Sequence, residues 1–449
     1  MTVRSRYAIT LAVVLVVLCR LSPAGFASPM TLDDCVSKAL EANPGVLDAR
    51  EAIARAAGGV TEARSGYLPN LLLTGSYNFL EEAQTVDFPD PLTGKTQQLK
   101  IDFTRDYVFQ LVATQPLYTG GRLGNSYRIA NRSRGMAETE LTTAESQVTL
   151  DVVQAFYGLL LAREAVTVAQ EAVNTAEEFL RVVKARYQTG EASSFEVMRA
   201  EVEVSNLQPA LIAAKNGVAL SELSLKKAMG VSQDADIQFT GSFEAADFEI
   251  SLRQALAKAL SQRSELKTLA YQAQIAEASI GLAKSGRLPS LSLDFNYNVS
   301  TDKITLDSDQ IEDTYNGYLT LSFPLFDGFR TKSQISQART DLRRAGIAKT
   351  NLEEAIELEV RGAFLDIESA REVLESQDKN VEMAEESLRI ANERYVQGYA
   401  TNLEVLDSQL ALNTARQNRL QAVHDLNVAI ARLKKAMGTL LGEFEAGAR

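Results

Sequence analysis

Histidine and cysteine are scarce in this 449-residue sequence and cationic residues are outnumbered by acids, and each of these removes a class of function. The single histidine, His424, falls inside a helical pattern without the partners that a metal site or a general base requires. Of the two cysteines, Cys19 lies in an N-terminal apolar stretch expected to be removed, which leaves Cys35 and excludes an intrachain disulfide in the mature chain. Cys35 sits on a helical pattern and reads as a small buried hydrophobe. There is no Ser-His-Asp arrangement, no metal-ligand spacing and no glycine-lysine phosphate loop. We therefore expect no catalytic residue, no cofactor and no metal, and a chain that is not an enzyme. Lys and Arg number 46 against 58 Asp and Glu, a net charge of −12 that becomes −15 once Arg4, Arg6 and Arg20 leave with the N-terminal segment. So acidic a chain is a poor partner for nucleic acid.

Long apolar runs are also missing beyond the N-terminus. Residues 1–27 read as a signal peptide: Arg4 and Arg6 precede an apolar run from Ala8 to Leu18, and Gly25-Phe-Ala27 offers small residues for cleavage. Bulky Leu18 before Cys19 argues against a lipoprotein signal. No later segment reaches 18 consecutive apolar residues, so a membrane crossing by the mature chain would have to be a closed β-barrel.

What is present is a pattern stated twice. Residues 28–230 form a first repeat. Thr31 caps a helix running to about Arg64, with Pro44 expected to kink or break it. Period-two alternation predicts a strand over about 70–80, with Leu71, Leu73, Tyr77 and Phe79 on one face and mostly polar Leu72, Thr74, Ser76 and Asn78 on the other. Phe88-Pro-Asp-Pro-Leu-Thr-Gly94 reads as a loop, and a second strand spans about 106–115. A proline-free helix follows over about 121–187, roughly 100 Å long at 1.5 Å per residue, and a return helix over about 193–229 in which Pro209 should cause a local kink. Residues 231–250 read as an irregular equatorial linker with short elements.

The second repeat occupies 251–438: a helix from Leu252 to Ser285, strands at about 290–299 and 315–323, a long helix at about 327–395 and a return helix at about 401–437, with 439–449 as a C-terminal tail. Lys284-Ser-Gly-Arg-Leu-Pro289 echoes Arg64-Ser-Gly-Tyr-Leu-Pro69 at an offset of 220, and Lys434-Lys-Ala-Met-Gly438 echoes Lys226-Lys-Ala-Met-Gly230 at an offset of 208. The difference places 12 extra residues in the first strand-to-strand connection. Heptads at Leu374, Val381, Leu388 and Tyr395, and a row at Leu403, Leu406, Leu410, Asn413, Gln417 and Leu420, predict a thin seam between the second long helix and its return helix.

Helix lengths predict that each repeat makes two columns, one continuous and one of two shorter helices end to end. Four strands of about ten residues suit a tilted membrane span but cannot close a barrel, since the smallest single-chain barrels have eight. Three chains would supply twelve. The fold class expected is mainly α with a transmembrane β-barrel: a homotrimeric 12-stranded barrel, four strands per chain, continued by a long α-helical periplasmic barrel, with an internal two-fold repeat.

The chain resembles the TolC-like outer membrane efflux family over about residues 30–440. The resemblance is carried by the duplicated element order, by Gln115-Pro-Leu-Tyr-Thr-Gly-Gly-Arg122 with its copy at 323–330, and by Arg394-Tyr-Val-Gln-Gly-Tyr-Ala-Thr401 with its copy at 186–193. It implies a passive channel-tunnel exporting drugs, metals or proteins. The implied partners are two further copies of the chain, a periplasmic adaptor, an inner-membrane pump of RND or ABC type, directly or through the adaptor, and outer-membrane lipids. It implies an outer-membrane location with most mass in the periplasm. Glu404 and Asp407 match the family's two aspartates at the periplasmic aperture, with glutamate replacing the first. They lie one helical turn apart, so three copies would set six carboxylates round a narrow opening; acids near a helix N-terminus are also favourable on an ordinary solvated face. The turns at Gly190 and Gly398, flanked by Arg186, Tyr187, Arg394 and Tyr395, resemble the family's adaptor docking points. The competing reading is a non-conducting coiled-coil scaffold of the envelope, which would need no strands with an apolar and a polar face.

Overall fold

The computed structural model of the chain describes residues 29–79, 84–89, 94, 96–101, 105–301 and 312–447. The expected signal peptide, with Cys19, lies outside them. In chain order the elements are α1 (Leu32–Ala42), α2 (Pro44–Ser65), β1 (Asn70–Phe79), β2 (Gln84–Pro89), β3 (Thr96–Ile101), β4 (Arg105–Tyr118), α3 (Arg122–Gln188), α4 (Ser194–Met229), α5 (Leu252–Gln262), α6 (Ser264–Ser285), β5 (Ser290–Thr301), β6 (Glu312–Ser322), α7 (Arg330–Val396), α8 (Asn402–Ala436) and α9 (Leu440–Gly447). The chain divides into two compact units that cut across the sequence repeats. One holds the chain through Asp48, Leu141–Arg263 and Glu354 onward; the other holds Ala49–Glu140 and Ser264–Glu353.

The second of these units contains an open antiparallel sheet in the order β1-β4-β5-β6. Its register stacks apolar and aromatic residues in rows: Leu73 faces Leu111, Leu111 faces Tyr297, and Tyr297 faces Tyr315. Tyr77 and Tyr107, also paired in register, stack with ring centroids 4.6 Å apart. The other face is polar. Thr114 donates to Asp294 at 2.9 Å, as does Ser292, and Asn296 donates to Asn316 and to the Tyr318 hydroxyl. Large apolar side chains on the first face stay exposed, Leu71 at 67% and Leu321 at 69%. A slip of one residue would mix the two faces, so this pattern pins the register.

Two expectations are corrected. Phe88 and Pro89, the first two residues of the stretch read as a loop at 88–94, instead end β2, which pairs antiparallel with β3; Gly94 lies in no strand, and 90–93 fall outside the described residues. Proline fits there because it closes the strand of a two-stranded ribbon, where a missing N–H costs no interior ladder bond. The segment Leu252–Ser285 is two helices, not one: α5 ends at Gln262 and α6 starts at Ser264.

In the other unit the core collects Cys35, Val36 and Ala39 of α1, Val152, Phe156 and Leu159 of α3, Leu225 and Met229 of α4, and Phe239 of the linker. Part of α3 is apolar enough, by length and composition, to cross a membrane; these α3 side chains are buried in protein. The helix breaks are built the same way twice. Asn43 ends α1 and donates from its side chain to the Ala228 carbonyl at 2.7 Å, while Arg263 ends α5 and donates to the Ala436 carbonyl at 3.2 Å and to Glu359 at 2.7 Å. Gly230, at φ 70°, comes so close that a Cβ there would lie 2.6 Å from Asn43 Cα; Gly438, at φ 73°, abuts Gln262 and Arg263 in the same manner. Pro44 announces the first break in the sequence. The second has no proline and depends on the Arg263 contacts.

Residues 231–250 contain no regular element beyond a bridge between Met30 and Phe239. They are held by side chains: Arg163 donates to the Phe239 carbonyl at 2.7 Å, Asn427 to the Glu244 carbonyl at 2.9 Å, and Arg371 to the Phe248 carbonyl. Pro209 lies within α4, which continues through it as one helix. The C-terminal tail carries the helix α9, whose Leu440 is buried against the core around α1.

Burial pushes the Cys35 thiol up to about 12, with the Asp34 charge adding to the effect. The raised value means that Cys35 favours the fold below the ordinary thiol range near 8.5, and that this contribution is lost as pH rises toward 12. In a chain with Cys35 as its only cysteine, we expect no reaction with a thiol reagent at pH 8 in the native state and full reaction in denaturant. Rapid native labelling would contradict this burial.

Candidate functional site

The residues singled out at the two hairpins lie together in one unit. Each hairpin has the same local grammar. Its long helix ends in a left-handed glycine, Gly190 at φ 81° and Gly398 at φ 78°. In both, the next N–H returns to the helix: Glu191 N–H to the Arg186 carbonyl and Tyr399 N–H to the Arg394 carbonyl, each at 2.8 Å. A Cβ at that φ would be strained, which explains glycine. The return helices start with capping boxes: Ser193 with Glu196, and Thr401 with Glu404.

Glu404 is therefore already engaged. Its carboxylate accepts from the Thr401 N–H at 3.2 Å and hydroxyl at 3.1 Å. It remains solvent-exposed, as does Asp407 one turn later. Asp407 forms no ion pair among the described residues. The matching positions of the first hairpin are Glu196 and Arg199, so only the second hairpin presents two acids on this face.

Arg186 and Tyr395 meet. The Arg186 guanidinium lies 4.9 Å from the Tyr395 ring centroid and donates to the Tyr395 carbonyl. Tyr395 is 3% exposed and packs against Phe179 at 5.1 Å, in a cluster with Val183, Ala200, Leu388 and Val405. Burial, then the Glu196 charge, holds its phenol above the ordinary range, while Arg186 acts the other way. Its hydroxyl has no hydrogen-bond partner among the described residues. Tyr187 and Arg394, the matching residues of the repeat, face solvent, Tyr187 at 50% exposure. The four residues named in the sequence thus split into an inward pair and an outward pair.

The return-helix seam departs from its expected row near the tip. Leu403 and Leu410 are exposed at 53% and 61%, while Asn402, Val405, Gln409, Leu412, Ala415 and Leu420 are buried. Near the tip the buried residues run one position ahead of the expected row, through Asn402, Val405, Gln409 and Leu412, while Leu406 of that row packs on the tip cluster and Leu420 is buried as expected. Asn402 is buried because its amide donates to the Glu196 carbonyl at 3.0 Å and fixes one hairpin against the other. A buried polar residue at a seam of leucines and alanines specifies register; periodicity of apolar residues alone does not find it. Ion pairs continue the contact above the tip, with Arg416 bonded to Glu171 at 2.7 Å and to Glu385 at 2.8 Å. No group of three or more His, Cys, Asp or Glu able to hold a metal occurs among the described residues.

The unpartnered hydroxyl makes Tyr395 a clean test of the tip. We expect Tyr395→Phe to leave the melting temperature unchanged or slightly raised, and Tyr395→Ala to cost about 3 kcal/mol or more. Thermal melts of the purified variants check both.

Comparison with known proteins matches the outer membrane efflux protein family model twice, over residues 35–231 and 255–439. The outer membrane protein TolC of Vibrio cholerae is 24% identical over 413 residues, covering 91% of each chain. The outer membrane efflux protein BepC of Brucella suis is 24% identical over 413 residues, covering 92% of this chain and 86% of its own. Among solved structures, the Campylobacter jejuni CmeC outer membrane channel superposes with a TM-score of 0.75 at 19% identity over 91% of this chain and 86% of that one. The open state of the Neisseria gonorrhoeae MtrE channel gives 0.72 at 18% identity over 91% and 89%. With both halves of its sequence matched, the chain belongs to the outer membrane efflux protein family and is a non-enzymatic, passive channel protein of the outer membrane.

Proposed function

We propose that three copies of this chain form a channel-tunnel, a 12-stranded barrel continued by a periplasmic helical barrel, that serves as the exit duct of a tripartite efflux or type I secretion system. The observation that carries the reading is the open sheet β1-β4-β5-β6, with its aromatic face, its polar face and two outer edges. A strand edge cannot remain unpaired in hydrocarbon, and cyclic closure by identical sheets removes it. Two matches of one family model along the chain support the internal two-fold repeat, and with it a ring of six similar hairpins.

In this reading residues 1–27 direct export, 28–230 and 251–438 are the repeats, and 231–250 lies at the equator. Glu404 and Asp407 ring the periplasmic aperture. Their exposure supports it, and Asp407 has its carboxylate free of ion pairs among the described residues. An adaptor docks on the outward surface of the tips, at Gly190 and Gly398 with Tyr187 and Arg394 beside them; Arg186 and Tyr395 hold the tips together from inside. The adaptor and an inner-membrane pump supply the energy and choose the substrate.

The test is single-channel conductance in a planar bilayer. Glu404→Gln with Asp407→Asn removes both charges, and glutamine keeps the capping box that alanine would destroy. We expect a small, cation-selective conductance in the wild type and loss of selectivity in the double variant. Selectivity that survives both substitutions would move the constriction elsewhere. A folded trimer that never conducts would favour the scaffold.

A further inference from the structure

Each half of the chain carries a contact surface that only one half uses. In the unit holding the sheet, α3 packs closely on α6. A Cβ at Gly135 would lie 2.7 Å from the Tyr271 ring, and one at Gly281 would lie 2.5 Å from the Asn125 side chain. Thr139 and Thr268 hydroxyls meet at 2.9 Å. The repeat offsets of 208 and 220 relate α3 to α7 and α6 to α2. Moved by those offsets, Gly135 becomes Arg343 and Tyr271 becomes Glu51; Asn125 becomes Ser333 and Gly281 becomes Thr61. A small-to-large contact turns into a guanidinium facing a carboxylate, and into two hydroxyls. All four residues are solvent-exposed, and neither Glu51 nor Arg343 has an ion-pair partner among the described residues.

Charge along these two faces is complementary. Lys284, Arg287, Lys332, Arg339 and Arg343 line one open cavity; Arg287 lies near the Asp327 carboxylate, and Lys284, Lys332, Arg339 and Arg343 make no ion pair among the described residues. On α7 the cations Lys332, Arg339 and Arg343 match Gly124, Asn131 and Gly135 of α3, so this part of the cationic stripe is a property of α7 and not of the repeat. The exposed face of α2 offers Glu51 and Glu62, with Arg55 between them.

The other unit shows the same asymmetry with identical residue types. Arg186 covers Tyr395 within the chain. Their counterparts Arg394 and Tyr187 are both exposed.

We infer that a second copy of the chain occupies these faces, with α7 of one copy against α2 of the next, Arg343 on Glu51, Ser333 beside Thr61, and Arg394 clasping Tyr187. This rests on the trimer reading and sets the register of its subunit seam. The contact is heterologous, and in the trimer reading it closes a ring of three copies with the three seams inside chains alternating with three between them. With Arg394 and Tyr187 engaged, the glycine turns themselves remain the surface open to an adaptor.

Two measurements test it. First, differently tagged chains carrying Thr61→Cys and Ser333→Cys are produced together and oxidised in the native membrane; Cys35 is buried and silent. We expect disulfide-linked dimers containing both tags, and none when either substitution is present alone. Second, Glu51→Arg or Arg343→Glu is expected to lower the trimer's resistance to dissociation in detergent by roughly tenfold, as like charges across an interface do, and the double exchange to restore it. All four sites are exposed, so folding is preserved. A stable trimer with no Thr61–Ser333 crosslink and no rescue overturns the seam and leaves the trimer. A wild-type chain that is monomeric at every concentration overturns both.

Discussion

Two strand edges, those of β1 and β6, set the terms for the rest of the molecule. A four-stranded sheet with an apolar face belongs in hydrocarbon only if every backbone group is paired, and a single chain leaves its outer strands open on one side. The strand register makes the demand strict. Because Leu73, Leu111, Tyr297 and Tyr315 share one face and Thr114, Asp294 and Asn296 the other, the sheet cannot slip or fold over to satisfy itself. In the proposed trimer, self-association answers this demand without any new chemistry.

The helical part obeys a different constraint. A helix of 67 residues in a folded protein draws most of its stability from packing one face on a partner, and here the faces are thin: alanine, valine and occasional leucine rather than a thick apolar core. Close approach compensates for small side chains. Gly135 against Tyr271 and Gly281 against Asn125 bring backbones near enough for dispersion to act. At the hairpin tips a guanidinium over a buried phenol does the same work, with Asn402 fixing the register. Polar residues at such seams cost stability and define alignment, which suits a wall whose helices must not slide.

The capping boxes show how one residue can be read in two ways. Glu404 satisfies Thr401 as any acid at that position would, and Glu196 does so in the first hairpin. What distinguishes the second hairpin is Asp407, where the first has Arg199. The acidic character of the tip is thus an asymmetry between halves and not a by-product of helix initiation.

Much of this was legible in the sequence because it depends on local rules. Alternation over Leu71–Phe79 marked a two-faced strand, Gly190 and Gly398 marked left-handed helix ends, and Pro44 marked a break, each through the chemistry of a single residue or a period of two. Three features needed the folded chain. The break at Arg263 carries no proline and exists because its side chain reaches the end of α8. The hairpin β2–β3 has too polar a pattern to announce itself. Arg186 and Arg394 are each followed by a tyrosine and stand four residues before the turn glycine, yet one lies over a tyrosine and the other in solvent. Repeated sequence determines that two such pairs exist; which of them closes within a chain is decided by which helices are neighbours, and that is a property of tertiary packing alone.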